Sequence, residues 1–239
     1  MCFSKNMSLF MALLGGISTV VSYKYVNIKA ATMIFYFTLM QIIHYYGYTV
    51  IDKCDNKLNQ TLSRLNYLHI SFQGPIYLLG FWGLFEKFKV IRPDQLNYFK
   101  ILIPMAIITS ILMALQMFEF HDPVMNRTSK LNNKMSSDCE LCGKTCSLTG
   151  KKHIRFTLPL RQGPEYYTPG IYGHFIFFFL PFLFFNNTTR LINLFILASA
   201  FLPGIIYQTD AAEVATTWCG ISIVQLILVY FYIYKNFNK

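Results

Sequence analysis

Three cysteines and one histidine in a single polar stretch have the residue types of a zinc site. They follow the pattern Cys139-x2-Cys142-x3-Cys146-x6-His153. Three thiolates and an imidazole form a tetrahedral ligand set that Zn²⁺ accepts, although the spacing matches no common zinc finger. An oxidising compartment would instead pair the same thiols as disulfides. We favour disulfides at these positions and keep zinc as the alternative cofactor.

The six cysteines of the chain all lie on or near one side of the predicted membrane, three of them in the long loop. Pairing of these thiols requires that this side be the oxidising one, outside the cytosol. Six cysteines permit many connectivities, so the sequence leaves the partners open. The disulfide candidates are Cys2, Cys54, Cys139, Cys142, Cys146 and Cys219.

A second group of polar residues lies inside the apolar stretches themselves. Two of them are three residues apart and two others are four apart, so each pair shares one face of a helix. Polar side chains in lipid are costly and usually face the interior of a bundle. We therefore predict one polar pocket in the outer half of the bundle. Its candidate lining residues are Gln41, His44, His69, Gln73, His174 and Trp218.

Two classes of function are compatible with this pocket. The first is a structural, receptor-like or interaction protein, in which the Cys-containing loop covers an outer pocket. The second is a membrane hydrolase, in which His44, His69 and His174 hold a metal ion and Asp210 or Glu213 acts as the base. A transporter is less favoured, because the chain has no internal repeat and no paired half-helices.

Seven apolar stretches must position these residues. A helix needs about 20 mostly apolar residues to cross the hydrocarbon core of a bilayer, and backbone groups in lipid must be paired within the protein. We predict an all-α fold: a single domain over residues 1–239 that forms a polytopic membrane bundle of seven transmembrane helices, with a long Cys-containing loop (119–169) between helices four and five. The stretches cover residues 7–23, 30–51, 68–85, 98–118, 171–185, 191–207 and 214–234. The Phe-rich run 175–185 is expected to face lipid.

Composition supports a membrane partner. The chain is 54% hydrophobic and 13% charged, whereas a soluble domain has about 25% charged residues. Its formal net charge is +10, but the lysines and arginines flank the apolar stretches. This placement indicates contact with a lipid surface and argues against a nucleic-acid partner.

The distribution of basic residues gives an orientation. Nine lysines and arginines flank the stretches on one side and four on the other, leaving out the long loop. The positive-inside rule then places the N-terminus and the long loop outside and the C-terminus in the cytosol. On the outer side, Asn59-Gln60-Thr61 and Asn126-Arg127-Thr128 have the pattern of glycosylation acceptors. The amphipathic run 153–160 is expected to fold back on the bundle or to lie in the interface.

The start of the chain, Met1-Cys2-Phe3-Ser4 followed by Ser8, resembles one group of membrane proteins. These are uncharacterised multipass proteins of large DNA viruses, protists and some bacteria, which begin Met-Cys-(Phe/Trp)-Ser. The likeness continues at Gln41, Gln73-Gly74-Pro75, His153-Ile154 and Trp218-Cys219. That group more often has an acidic residue at the position of His44 and a tryptophan at that of Phe156. The resemblance implies a seven-helix membrane protein and no established activity.

Overall fold

The computed structural model describes residues 4–118, 120–122, 127–129, 144–160, 176–179, 182–207 and 211–238. The structure is mostly helical. Its helices are α1 (Lys5–Tyr25), α2 (Ile28–Gly47), α3 (Lys57–Phe88), α4 (Pro93–Leu96), α5 (Tyr98–Leu115), α6 (Asn187–Tyr207) and α7 (Ala211–Phe237). Residues 176–179 and 182–183 are helical as well. The strands are β1 (Phe120–Asp122), β2 (Arg127–Ser129), β3 (Cys146–Thr149) and β4 (Ile154–Thr157).

Helices occupy the predicted apolar stretches, within the part of the chain that the structure describes. Three of them are long and apolar enough to cross a membrane: Lys5–Tyr25, Pro93–Leu115 and Thr216–Phe237. Asn187–Leu202 is apolar but shorter. The helices α2 and α3, which are not among these three, each carry several buried polar residues. Membrane crossing by all seven stretches therefore stays a prediction.

The first two helices form a tight antiparallel pair. Asn27, between them, caps α2 by accepting a hydrogen bond from the backbone nitrogen of Ala30 at 3.0 Å. The helices approach closely at Gly15, where a Cβ would collide with Thr38 of α2 and lie 2.8 Å from Cδ1 of Ile223 in α7. Glycine is required at this crossing because no side chain fits there.

The third helix is longer than predicted. It begins at Lys57, eleven residues before the predicted stretch 68–85, and runs for 32 residues. Asn56 caps its start by accepting from the backbone nitrogen of Leu58 at 2.8 Å. The additional turns carry Asn59 and Ser63, whose side chains are buried against the loop segment that follows α5. Tertiary contacts thus extend a helix that hydropathy alone would end early.

Aromatic rings fill the centre of the bundle. Tyr77 of α3 lies with its ring centroid 4.3 Å from that of Phe178, and Phe178 lies 4.9 Å from Trp218 of α7. Phe178 and Phe182 are completely buried, whereas Phe184 is 71% exposed. The expectation that the whole Phe-rich run faces lipid is therefore wrong. A helical segment that packs on α3 must bury one of its faces.

The described residues also form two short antiparallel sheets, which the all-α prediction did not include. β1 pairs with β2, and β3 pairs with β4 in the register Cys146↔Thr157. We call residues 144–160 the hairpin, and the end of the bundle on which it packs the hairpin end. Ile154 and Phe156 of β4 are completely buried, so the amphipathic run folds back on the bundle.

Candidate functional site

A disulfide fixes the hairpin to the turn between α2 and α3. Cys54 and Cys146 are bonded at an S–S distance of 1.98 Å. Beside them, Lys144 donates to Oδ1 of Asp55 at 2.7 Å, and this hydrogen bond and positive charge lower the pKa of the Asp55 carboxyl. Because Cys146 is a disulfide sulfur here, it is not available as a zinc thiolate. Cys2, Cys139 and Cys142 lie outside the described residues, and Cys219 is a buried free thiol.

The side chain of Asn59 forms hydrogen bonds with the backbone of β3, as a neighbouring strand would. Its Nδ2 donates to the carbonyl oxygen of Ser147 at 3.0 Å, and its Oδ1 accepts from the Ser147 nitrogen at 2.8 Å. Nδ2 also donates to the carbonyl oxygen of Val50 at 2.7 Å. A glycan cannot be attached to this nitrogen in the folded protein, because Asn59 is completely buried. Asn126, in the other predicted acceptor, lies outside the described residues.

Asp52 bonds the same edge of β3 as Asn59 does. Its carboxylate accepts from the nitrogen of Thr149 at 2.8 Å and from the Thr149 hydroxyl at 2.6 Å. The Asp52 nitrogen donates to the carbonyl oxygen of Ser147 at 3.0 Å. Asp52 has a φ of 63°, a left-handed conformation that aspartate tolerates better than most residues. The sharp turn after α2 thereby places the carboxylate and the backbone nitrogen of Asp52 against the hairpin.

The carboxylate of Glu213, in the first turn of α7, binds the turn of the hairpin. It accepts hydrogen bonds from three successive backbone nitrogens: Lys151 at 3.0 Å, Lys152, and His153 at 2.7 Å. Glu213 is 2% exposed. A Cβ on Gly150 would lie 2.8 Å from the carboxyl carbon, so only glycine permits this approach. Glu213 therefore anchors the loop instead of standing free as a base. Asp210 lies outside the described residues.

His153 connects the hairpin to the end of α2. Its Nδ1 shares a hydrogen bond with the Tyr48 hydroxyl at 2.8 Å. Its ring meets that of His44 edge to face, with centroids 4.8 Å apart. Burial lowers the pKa of His153 to about 3, so the imidazole is neutral near pH 7. The neutral ring can both donate and accept a hydrogen bond.

Further from the hairpin end, contacts of Cys219 link α7 to α2 and α3. Gln41 of α2 donates to the Cys219 carbonyl oxygen at 2.6 Å, and Gln73 of α3 donates to its sulfur at 3.0 Å. Nε2 of His69 lies 2.7 Å from the carbonyl oxygen of Tyr36, and Nδ1 lies 3.4 Å from Nε2 of Gln73. Both nitrogens of His69 are thus engaged by the protein, which removes it as a free metal ligand.

Trp218 points to a different partner from the other predicted pocket residues. Its Nε1 donates to Oε1 of Gln225 at 2.9 Å, and Gln225 donates to the hydroxyl of Ser199 in α6 at 2.6 Å. His174 lies outside the described residues. The structure therefore brings Gln41, His69 and Gln73 together around Cys219 and places Trp218 in a separate link between α6 and α7.

Between the Cys219 contacts and the hairpin lies a set of buried polar atoms without a protein hydrogen-bond partner among the described residues. Four residues contribute them, with side chains that are 5% exposed or less. We call this set the polar layer. It comprises Ser8 Oγ of α1, both ring nitrogens of His44 of α2, Asn66 Oδ1 of α3 and Thr217 Oγ1 of α7.

The helix register places Ser8, His44 and Thr217 at one depth. Gly15 of α1 is level with Thr38 and Ile223. Seven residues from each toward the hairpin end lie Ser8, Tyr45 and Thr216. Ser8 belongs to the polar layer, and the other two are the chain neighbours of His44 and Thr217. One residue of a helix corresponds to about 1.5 Å along its axis.

Two hydrogen bonds place Asn66 at the same depth. Asn59 of α3 bonds the carbonyl oxygen of Val50 at 2.7 Å, and Asn27 bonds that of Gly83 at 2.8 Å. In an antiparallel pair of helices, the numbers of facing residues have a constant sum, which is 109 or 110 for these two contacts. His44 of α2 therefore lies opposite residue 65 or 66 of α3. The four residues of the polar layer thus share one level of the bundle, directly beneath the hairpin.

The structural roles of Asn59 and Asn66 were not predicted from the sequence, and Glu213 was predicted as a candidate base, not as the residue that binds the hairpin. A signal for the first two was present, since Asn59, Ser63, Asn66 and Gln73 recur at helical spacing on one face of α3. Glu213 carried no such signal. Its partners lie about sixty residues away in a segment that has no pattern of its own until it pairs.

One family model matches residues 6–237, which is nearly the whole chain, and its description is "Family of unknown function (DUF5765)". No curated protein and no solved structure shows significant similarity to the chain.

Proposed function

Because the chain belongs to the DUF5765 family of unknown function, whose description assigns no activity, we propose a function from the geometry of the site. We propose a receptor-like, multi-pass membrane protein that binds a small neutral polar molecule in the polar layer, with the hairpin as its cover. The observation that carries this proposal is the presence of unpartnered buried polar atoms in four helices at one depth.

The membrane arrangement is supported by the outer surface of the helices. Large apolar side chains are exposed along α1 and α6, such as Ile17 at 65%, Val20 at 67% and Ile205 at 72%. Soluble proteins rarely expose continuous apolar surface of this kind. With three helices long and apolar enough to cross a bilayer, this surface favours a bundle whose perimeter contacts lipid. Seven spans are the arrangement that we propose.

The disulfide supports the orientation. Cys54 and Cys146 are oxidised at the hairpin end, and such bonds persist in oxidising compartments outside the cytosol. Among the short segments, leaving out the long loop, the excess of lysine and arginine at the opposite end agrees with a cytosolic location there. We therefore propose that the hairpin and the N-terminus face the exterior or a lumen.

The residues of the polar layer define the class of ligand. Two hydroxyls and a neutral imidazole can each donate and accept hydrogen bonds, and the amide oxygen of Asn66 accepts. The oxygens of the Glu213 carboxylate, one helical turn from Thr217, are already bonded by three backbone nitrogens of the hairpin. An ionic ligand would thus lack a counter-charge among the described residues, so a hydroxyl- or amide-bearing neutral molecule fits best.

Energetics give the same conclusion. Leaving a buried polar group without a partner costs about 1–3 kcal/mol, and most buried polar groups in native proteins are paired. Four residues at one level would together cost several kcal/mol unless a bound molecule supplies partners. The hairpin lies over them through the contact between His153 and His44, so loosening the hairpin would give access.

Native mass spectrometry of the purified full-length protein tests the proposal. We expect a non-covalent neutral adduct, which can be identified after denaturing release. His44→Phe and Thr217→Val should lose it, since each removes polar atoms of the layer at little change in volume. Thr19→Val is the matched control, because the Thr19 hydroxyl already donates to the carbonyl oxygen of Gly15 at 2.8 Å.

Stability separates binding from mere packing. If a ligand occupies the layer, His44→Phe and Thr217→Val lower the free energy of unfolding. If the layer only packs, the same variants raise it by about 1–3 kcal/mol each, because an unpartnered buried group is removed. Absence of an adduct together with such stabilisation would refute the proposed function.

A further inference from the structure

We propose that the end of the bundle opposite the hairpin carries a binding site for an anionic phospholipid, formed by a groove between α5 and the residues 176–177 and 184–185. This inference concerns a different end of the molecule from the polar layer. It rests on the proposed membrane-spanning arrangement but not on a ligand in that layer.

The groove has the size and lining of a lipid-chain site. Its volume is about 560 Å³, which is within the range of small-molecule sites of roughly 300–1,000 Å³. Apart from Arg92 and Gln95 at one end, the lining side chains are apolar or aromatic. They are Tyr98, Ile101, Leu102, Ile176, Phe177, Phe184 and Phe185.

Polar and apolar residues are arranged along the groove as head and tail are arranged in a phospholipid. Arg92 lies at the end of the bundle, just before α4, and Leu102 lies ten residues further along the chain. On the opposite wall, Phe185 precedes α6 and Phe177 lies eight residues earlier in the chain. A headgroup at Arg92 would thus leave an acyl chain to run toward Phe177.

A second, larger cavity of about 820 Å³ adjoins the polar end. It shares Arg92, Gln95 and Phe185 with the groove and adds Lys89. Two cations at the mouth of an apolar groove match the phosphate of a lipid headgroup. The acidic residue in this cavity, Glu86, is occupied by Lys29 at 2.7 Å, so it does not cancel them.

The backbone at Lys89 supports a role for its side chain. Lys89 ends α3 with a φ of 52°, a left-handed conformation for which glycine is the usual residue. A lysine there carries a conformational cost that a glycine would not. Within the described part of the chain its ammonium group makes no ion pair. Arg92 contacts Asp94 at 3.0 Å through one nitrogen, and its side chain is 74% exposed, so further donors face outward.

The anion could come from a lipid or from free phosphate, and the experiment separates these sources. The full-length protein is reconstituted in nanodiscs that contain dioleoyl phosphatidylglycerol and dioleoyl phosphatidylcholine in equal amounts. Lipids retained after detergent washing are counted by native mass spectrometry. Parallel samples receive inorganic phosphate or glycerol phosphate, which should not be retained. Membrane integration is checked separately by resistance to carbonate extraction.

We expect the wild-type protein to retain the anionic lipid about 25-fold over the zwitterionic one, since Lys89 and Arg92 at an anionic surface each contribute about fivefold. Lys89→Gly and Arg92→Gln should each remove about fivefold of this preference. Lys89→Gly suits the left-handed backbone, so unfolding would not account for its effect. Leu102→Trp should fill the groove and reduce retention of both lipids. Lys235→Gln, an exposed charge outside the groove, is the control.

Several outcomes would overturn the lipid site. These are equal retention of the two lipids by the wild-type protein, or unchanged preference in both Lys89→Gly and Arg92→Gln. Retention of free phosphate would assign the cations to a soluble anion, and a dimer lost in Leu102→Trp would assign the groove to a second copy of the chain. Extraction by carbonate would instead refute the membrane-spanning arrangement, so failure of that arrangement can be told apart from failure of the lipid site.

Discussion

The side chain of Asn59 and the backbone of Ser147 form a reciprocal pair of hydrogen bonds, with Nδ2···O at 3.0 Å and N···Oδ1 at 2.8 Å. A primary amide presents a donor and an acceptor side by side, as a neighbouring β-strand does. β3 is therefore paired on both edges, by β4 and by a helix side chain. This contact makes the hairpin part of the helical bundle.

We expect Asn59→Ala to destabilise the protein by about 3 kcal/mol or more. The change removes three buried hydrogen bonds and leaves backbone groups of Ser147 and Val50 unpaired, at about 1–3 kcal/mol each. Chemical denaturation of the detergent-solubilised protein measures this change. Asn236→Ala is the control, because Asn236 also bonds a backbone oxygen but is exposed. Equal effects of both variants would contradict the role of Asn59.

Sequence patterns identified which faces of the helices are buried but not what they contact. The spacing of Gln41 and His44 predicts a shared interior face, and both are 1% exposed or less. Their partners, Cys219 and His153, lie more than a hundred residues away. Helical periodicity carries no information on contacts at that separation, which depend on how the helices pack.

Pairing of the cysteines shows the same limit. All six lie near one predicted side, yet Cys54 is bonded to Cys146 across 92 residues and Cys219 is not bonded. Cys219 is held by Gln41 and Gln73 inside the bundle. The extended α3 likewise depends on Asn59 and Ser63 meeting β3, which composition alone does not indicate.

Removing the disulfide should release the hairpin. We expect the double variant Cys54→Ser/Cys146→Ser to lose about 2–5 kcal/mol of stability, as is typical for a native disulfide. Limited trypsin digestion at Lys144 and Lys151 should become faster. Dithiothreitol should accelerate cleavage of the wild-type protein and leave the double variant unchanged. A wild-type digestion pattern that is insensitive to dithiothreitol would contradict this prediction.

Acid should weaken the packing of the hairpin through His153. Its pKa is about 3 in the folded protein, below the ordinary value of 6.5, because the imidazole is buried. Between these values the unfolded chain binds the proton more readily, so stability is full above pH 6.5 and falls as the pH decreases toward 3. The loss should amount to a few kcal/mol. Thermal unfolding between pH 8 and pH 4 measures it.

His153→Gln is the test variant for this effect, since an amide can still bond the Tyr48 hydroxyl but does not titrate. We expect it to flatten the dependence between pH 6.5 and 4. Asp55 acts in a separate range: Lys144 lowers its pKa below 3.8, so its contribution is lost only at more acidic pH. A slope that is the same in His153→Gln and wild type would show that other groups cause it.

Orientation can be measured with glycosylation tags. We expect a tag inserted at residue 140 to be modified in microsomes and a tag at the C-terminus to remain unmodified, because the proposed arrangement places the two on opposite sides. The native Asn59 acceptor should stay unmodified in the folded protein, since its Nδ2 is bonded to two backbone oxygens. Modification of the C-terminal tag alone would reverse the orientation.

The bond between Cys54 and Cys146 also determines what becomes of a cut chain. After any single cleavage between these two residues, the two pieces of the chain remain linked by the disulfide. The piece with α1 and α2 and the piece with α6 and α7 would therefore stay covalently joined and migrate as one species without reductant. Only reduction would separate them, so cleavage between Cys54 and Cys146 would not be seen on a non-reducing gel.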